Sequence, residues 1–416
     1  MKIVVIGGGA AGFFSAIHAA QVNPKAQVLL LEKTNQLLAK VRVSGGGRCN
    51  VTHSCFSISE MSKHYPRGER QMKLLLHQFM TTDTIQWFES RGVKLKTEED
   101  GRIFPMTDNS QTVIDCLLKE SKKVGVEIYL KHEVLKINVL NDENFELIIK
   151  NQPSILCSKV IVTTGGSPKE SGLAWLKELG HEIVSPVPSL FTFNIPNSPI
   201  VQLMGTSVAD AKVKIQGTKL EEEGAVLVTH WGLSGPAILR LSAWGARELS
   251  NLDYQFKVGI NWLGKVTEGK LRNFFAQNEH YFSKKLISNC NPSLMLNFSL
   301  PNRLWEFLIE KIGISKSKKW TELSKQEFNK LINVITNDEY EVKGKTTFKE
   351  EFVTCGGVSL NDIDLKTMQS KKVANLHFAG EVLDIDGITG GFNFQAAWTT
   401  GYIAGKATGI YSLGIK

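Results

Sequence analysis

The first thirty-two residues constrain the chain most. Ile3 to Ile6 is an apolar run of strand length, and it ends directly on Gly7, Gly9 and Gly12 at G-x-G-x-x-G spacing. A helix-forming run follows from Phe13 to Ala20, and then a second apolar run, Gln27 to Leu31, that ends in Glu32. A glycine triplet at this spacing also occurs in unrelated turns. Strand, glycines, helix, strand and acid within about 30 residues make the dinucleotide-binding βαβ pattern. Each part has a physical task. Gly7 makes the tight turn, Gly9 lets the backbone approach a pyrophosphate, Gly12 allows close helix–strand packing, and the Glu32 carboxylate accepts from ribose hydroxyls.

A second glycine-rich stretch lies near the other end. Phe378 to Gly401 begins as a short apolar strand, breaks at Gly380 and Glu381, and passes Gly387, Gly390 and Gly391 before Asn393 to Gln395 open a helix. Closely spaced glycines before a helix present bare N–H groups at its positive end, suited to an anionic or electron-rich ligand edge. Alone, the stretch is also compatible with an ordinary capped loop. Beside the N-terminal pattern it reads as the other half of one cofactor site, so that two chain ends meet on one extended ligand. A single full G-x-G-x-x-G and a ligand that must reach both glycine sites favour FAD over NAD as the resident dinucleotide. NAD(P)H is then left to dock transiently as electron donor.

Two further segments read as places where backbone meets ligand. Ser44, Gly45, Gly46 and Gly47, followed by Arg48, Cys49 and Asn50, read as a loop with donors on both sides of three glycines. Lys159 to Thr164 reads as a buried strand running into Gly165 and Gly166. Between them, Val134 to Val139 and Phe145 to Ile149 alternate at period two, like an antiparallel appendage. The proline-rich run from Ser185 to Pro196 marks an expected boundary, because proline removes ladder donors and stiffens the chain. Beyond it come three β-like runs, then a largely helical stretch from Lys265 to Ile335, and return strands that lead to Cys355. The expected division is therefore a cofactor domain from residues 1–189 and 355–416, an inserted β-rich domain at 190–264, and an inserted helical domain with return strands at 265–354.

Composition narrows the function classes. At 416 residues, with 42% hydrophobic and 22% charged, the chain is an ordinary globular protein of two or three domains. No stretch approaches the 18 or so uninterrupted apolar residues of a membrane span, so a cytoplasmic, soluble protein is expected. The six cysteines include no C-x-x-C pair, which argues for free thiols and against a zinc site of the usual spacing. The net charge of +8 is unevenly placed: between Asn261 and Glu350 there are 15 Lys and Arg against 10 Asp and Glu. That surplus keeps a polyanionic partner in view. Helical spacing in the same stretch makes most of its aromatics core and its lysines a solvated face.

The motifs together resemble the two-dinucleotide-fold flavoproteins that include aminoacetone oxidases, bile-acid dehydro-steroid reductases and ribosomal-RNA uridine reductases. They are Gly7 to Gly12, Ser44 to Asn50, Thr229 to Pro236, Phe352 to Val358 and Gly380 to Gln395. The resemblance implies an α/β fold in which both chain ends form a Rossmann-like, glutathione-reductase-like FAD domain, with an inserted β-barrel-like plus helical part. It implies adenosine at Glu32, Lys33 and the backbone of Val134, and pyrophosphate at Gly9, Ala10, Ala11 and Gly12. It places the remainder of the FAD at Ser44 to Arg48, Asn50, Thr164 to Gly166, Gly380, Glu381, Gly390, Gly391, Phe392 and Asn393. Cys355 stands where the family usually has alanine, and is read as a neutral small residue.

The candidate chemical groups are Arg48, to stabilise negative charge, Cys49, to supply a proton, Asn50, to orient either, and His230. For Cys49 and His230 a packing or structural role competes with the chemical one. Three functions stay open: reduction of an activated C=C bond by hydride from flavin N5, including uridine to dihydrouridine in structured ribosomal RNA; amine oxidation with O2; and a flavin-containing RNA-binding protein. A small molecule and ribosomal RNA are both admitted as partner, no metal or membrane is expected, and the sequence leaves the oligomeric state open.

Overall fold

The computed structural model describes residues 1–140, 144–294, 300–346 and 353–410. The chain divides into two compact units, Met1–Pro188 with Phe348–Lys416, and Ser189–Thr347.

The first unit is built on a sheet whose centre is parallel. Lys2–Ile6 pairs in parallel with Gln27–Glu32 on one side and with Lys159–Val162 on the other. Glu127–Leu130 extends the sheet beyond the former, and Leu376–Phe378 beyond the latter. The three central strands, Lys2–Ile6, Gln27–Glu32 and Lys159–Val162, are buried runs of Val, Ile and Leu, as in a parallel sheet covered on both faces. The strand order reverses at Lys2–Ile6, and in such sheets the ligand crevice opens at the carboxyl ends of the strands on either side of that point. Gly7 follows one strand end with its N–H on Leu31 O at 2.8 Å. Thr163 follows another with its N–H on Ile6 O at 2.8 Å, and Ala379 a third with its N–H on Val162 O at 3.0 Å.

One helix contact joins the two chain ends. Ala10–Val22 and Phe392–Gly409 pack backbone to backbone through Gly401, Gly405 and Gly409, which are four residues apart and so share a face. A Cβ at Gly401 would lie 2.8 Å from Ala11 O, at Gly405 2.3 Å from Ser15 O, and at Gly409 2.9 Å from Ala19 O. His18 sits at the same junction. Its Nδ1 bonds Phe14 O at 2.7 Å and its ring lies edge-on to Tyr402 at 4.9 Å.

The proline-rich stretch is not only a crossing. Ile183–Ser189, with Pro186 and Pro188, forms a strand paired with Val353–Val358 in a sheet of two, where proline is tolerated because only one edge needs donors.

The second unit holds a seven-stranded antiparallel sheet in the order 338–343, 255–261, 207–215, 221–228, 232–234, 192–194, 345–346. Its first and last strands are consecutive in the chain, separated by Gly344 alone. Gly344 donates to Tyr254 O at 2.8 Å and accepts from Asn194 N at 3.1 Å, so the sheet curls until its edges meet. Helices Glu268–Gln277, Asn302–Lys311 and Lys325–Thr336 share one hydrophobic core with this sheet, including Trp262, Phe275, Trp305 and Leu331. Phe282 and Trp320 are buried in the same core, as helical spacing implied.

Two outcomes are expected for the helix junction. Gly405→Val, which drives a side chain into Ser15 O, lowers the thermal midpoint by an amount corresponding to about 3 kcal/mol or prevents folding, as overpacking against backbone does. Burial pulls the His18 pKa from 6.5 down to about 4, so the unfolded chain takes up this proton before the folded one. The resulting stability is fully present above pH 6.5 and fades as pH falls toward 4. It amounts to roughly 3 kcal/mol, one pKa unit being about 1.4 kcal/mol. Urea midpoints of the unchanged protein and His18→Leu across that range measure it, and the variant's curve should be flatter.

Candidate cofactor site

At the N-terminal end, the three glycines serve different needs. A Cβ at Gly7 would lie 2.4 Å from Thr163 O and one at Gly12 1.9 Å from Gly7 O, so both are required by the fold itself. A Cβ at Gly9 meets nothing within 4 Å. Gly9 caps the helix that starts with Ala10 and Ala11, and no side chain accepts from the cap. The space over this helix N-terminus is therefore open. Glu32, at the end of the neighbouring strand, accepts from Gly8 N at 2.9 Å through Oε2 and from Thr34 N at 2.8 Å through Oε1. Lys33 beside it is exposed. His132 N donates to Glu32 O at 2.9 Å, which brings the start of the Val134 strand close to the same strand end. Thr164, exposed, leads into Gly165 and Gly166 from the adjacent strand.

The glycine turn is a break in a helix. Ala39–Gly47 leaves helical geometry at Ser44, and Gly45, Gly46 and Gly47 take φ of +59°, +69° and +84°. Arg48 does not present an open charge. Its Nη1 lies 2.6 Å from Glu98 Oε1 and 3.6 Å from Asp108, and its guanidinium stacks 4.0 Å from the Phe104 ring centre. Cys49 is fully buried, and burial pushes its thiol up to about 12, so it stays protonated. Asn50 is 8% exposed, and its Oδ1 has no partner.

The C-terminal stretch folds back against these elements. A Cβ at Gly380 would lie 2.7 Å from the Ala11 methyl, and Gly380 N donates to Thr400 Oγ1 at 2.9 Å. Glu381 accepts from Thr354 N at 2.9 Å and pairs with Lys40 Nζ at 2.5 Å. Gly390 and Gly391 precede the long helix, and Gly391 caps it at φ +96° with no side chain accepting. Asn393 clamps the loop by donating to Gly387 O and accepting from Gly387 N, both at 2.8 Å. The Phe392 ring lies almost parallel to His64 at 4.3 Å and stacks on His53 at 4.8 Å. Arg67 holds the buried Asp386 through two contacts, Nε–Oδ1 at 2.6 Å and Nη2–Oδ2.

Lys40, His53, His64 and Arg67 thus stand around the expected site without belonging to any of the motifs read in the sequence, while Thr354 lies in the Phe352 to Val358 motif without having been singled out. Lys40, Arg67 and the two histidines reach partners in the C-terminal stretch more than 300 residues away, Glu381, Asp386 and Phe392, and no spacing signals them. His230 belongs to the second unit, where it is exposed beside a half-exposed Trp231. Among the described residues no cluster of His, Cys, Asp or Glu is arranged to hold a metal, and no helix is long and apolar enough to cross a membrane.

These features suit a long anionic ligand with many hydroxyls. Two helix N-termini from opposite chain ends carry glycine caps with no side-chain acceptor, Gly9 leaves open space, and Asn50 Oδ1 and Thr354 Oγ1 are buried without partners. Gly9→Val should therefore abolish FAD binding while the apoprotein melts within about 1 °C of the unchanged one, because a side chain there meets no protein atom. Gly12→Val should fail differently, as misfolded protein. Flavin absorbance after desalting, with calorimetry of the apoproteins, separates the two.

The model of the HI0933-like protein Rossmann domain family matches residues 1–407. A 3-dehydro-bile acid delta(4,6)-reductase of Clostridium scindens is 30% identical over 417 residues, 98% of each chain. A ribosomal RNA dihydrouridine synthase of Escherichia coli is 29% identical over 410 residues, 96% of each. Among solved structures, the 3-ketosteroid-delta4-(5alpha)-dehydrogenase of Rhodococcus jostii RHA1 has the same fold, with a TM-score of 0.53 at 12% identity, covering 99% of this chain and 97% of that one. With a Rossmann sheet, two glycine-capped helix starts and a family match over nearly its whole length, the chain belongs to the HI0933-like family and is an FAD-dependent oxidoreductase.

Proposed function

We propose that the protein reduces a C=C bond conjugated to a carbonyl, with NAD(P)H as the electron source. The observation that carries this reading is the near full-length similarity to two relatives whose names specify different substrates and one chemistry. A 3-oxo steroid with ring unsaturation and a uracil ring both hold a C=C bond in conjugation with C=O. When bound, FAD supplies the hydride from N5. The protein has to hold the acceptor ring flat against the cofactor, exclude water, and stabilise the charge that hydride addition to the β-carbon sends to the carbonyl oxygen.

The residues around the glycine turn fit these tasks. Asn50 is buried with its Oδ1 unpaired, and that acceptor is proposed to orient the bound ring by taking a hydrogen bond from one of its N–H or O–H groups. Arg48, tied to Glu98 and stacked on Phe104, is proposed to hold the turn in shape; its charge is already matched. Cys49, kept as a thiol by burial, is proposed as a proton reservoir reached only when substrate displaces its cover.

Uridine in structured RNA is the substrate reading we carry further than a free enone. The second unit contains exposed Lys319, Lys325 and Lys330. Other lysines of the basic stretch are engaged: Lys316 with Glu306 and Glu310, and Lys318 with Glu327, which completes the capping box of Ser324 at the start of Lys325–Thr336. Near the glycine turn, Lys63 pairs with Glu60 and Arg67 with Asp386. An electropositive RNA surface would therefore be drawn from the unpaired lysines of the second unit.

The test is anaerobic reduction of the holoprotein by NADPH or NADH, then reoxidation by a 3-oxo-4-ene steroid, by deproteinised ribosomal RNA, or by O2 in the presence of an amine. Fastest reoxidation by RNA, with dihydrouridine formed, supports the RNA reading. The steroid being fastest keeps the chemistry and removes the RNA. Turnover only with amine and O2 overturns the proposal in favour of an oxidase. If RNA is the acceptor, its affinity should fall steeply with salt, and reversing Lys319, Lys325 and Lys330 to Glu should reduce the slope of log K against log salt by about 2–3. The flavin content should not change.

A further inference from the structure

A buried hydroxyl stands unused beside the cofactor strands. Thr354 is 0% exposed and its Oγ1 has no hydrogen-bond partner. Its backbone N–H donates to one oxygen of Glu381, whose other oxygen takes Lys40 Nζ. Three segments meet here: the helix that leads into the glycine turn, the strand Val353–Val358, and the turn at Gly380. A fourth is pressed against them, since a Cβ at Gly166 would lie 2.4 Å from Thr354 Oγ1 and 2.7 Å from Glu381 Oε1. Gly380 in turn abuts Ala11 at the start of the N-terminal helix.

Packing does not explain the hydroxyl, because valine fills the same volume without an unpaired polar atom. The ion pair is the movable part of the cluster. The Lys40 side chain is 44% exposed and that of Glu381 18%, and a pair so placed contributes little to stability and opens readily. With the pair parted, the cluster offers a hydroxyl and a carboxylate to hydroxyl groups and an ammonium to an anion. The ribityl phosphate segment of FAD has both kinds of group.

We infer that Thr354 and Lys40 are cofactor-binding residues: the Thr354 hydroxyl takes a ribityl hydroxyl, and Lys40, parted from Glu381, takes the phosphate beside it. This rests on FAD being the cofactor. The experiment uses the full-length protein, with FAD affinity read from the quenching of flavin fluorescence on titration into apoprotein, and apoprotein melting read in parallel.

Thr354→Val should weaken FAD about tenfold, the loss of one hydrogen bond, while the apoprotein melts at the same temperature or higher. Lys40→Met should weaken FAD about tenfold or more and flatten the dependence of FAD release on salt, whereas Lys40→Arg stays within about threefold. FAD affinities of Thr354→Val and Lys40→Met within about twofold of the unchanged protein overturn the inference. So does a loss in Thr354→Val matched by a lower apoprotein melting temperature, because that marks a packing role. If the unchanged protein takes up no FAD at all, the cofactor assignment itself falls, a result seen before any variant is made.

Discussion

The contact between Ala10–Val22 and Phe392–Gly409 is the constraint on which the first unit depends. Helix axes usually stand 8–10 Å apart because side chains hold them there, and three glycines on one face let backbones touch instead. The gain is dispersion over a close surface together with the docking of Gly380 on Ala11. It fixes two helix N-termini, formed from opposite ends of the chain, on one side of the sheet. The intervening residues can fold in many ways provided they return the chain to this contact.

Charge in the site is arranged in an unexpected way. Arg48, Arg67 and Lys40 each face a carboxylate, so the side chains nearest the glycine motifs are close to neutral as a set. Glu32 likewise spends its oxygens on Gly8 and Thr34. The two glycine-capped helix starts then offer an anionic dinucleotide a positive potential from backbone N–H groups, apart from the paired side chains. Such a field is rigid, cannot be titrated and does not compete with substrate for protons, which suits a site where hydride and proton must be handled separately.

The sequence was most informative where structure is set locally. The βαβ unit, the glycine break after Ser44 and the buried aromatics of the helical stretch all follow from spacing and backbone freedom. The sequence could not show pairings across the chain. Arg67 and Asp386 are 319 residues apart, and Lys40 and Glu381 are 341 apart. The stacked trio of His53, His64 and Phe392 was hidden for the same reason. The proline-rich run reads as a boundary because proline lacks a donor, yet an edge strand needs donors on one side only, and that is what Ile183–Ser189 provides. The lysine surplus was visible as a count, while its partial neutralisation by Glu306, Glu310 and Glu327 was not.

The second unit closes its sheet by pairing the first strand it contributes with its last, Thr192 opposite Thr346. Its entrance and exit are therefore neighbours. A segment that leaves and re-enters a scaffold at one point behaves toward that scaffold as a loop, and the entropy of closing a loop grows only by about 0.6 kcal/mol per doubling of its length. Exchange, enlargement or trimming of everything between those two threonines leaves the cofactor sheet's own connections untouched. Such a module can lengthen, shorten or change its own core while one redox scaffold is inherited intact.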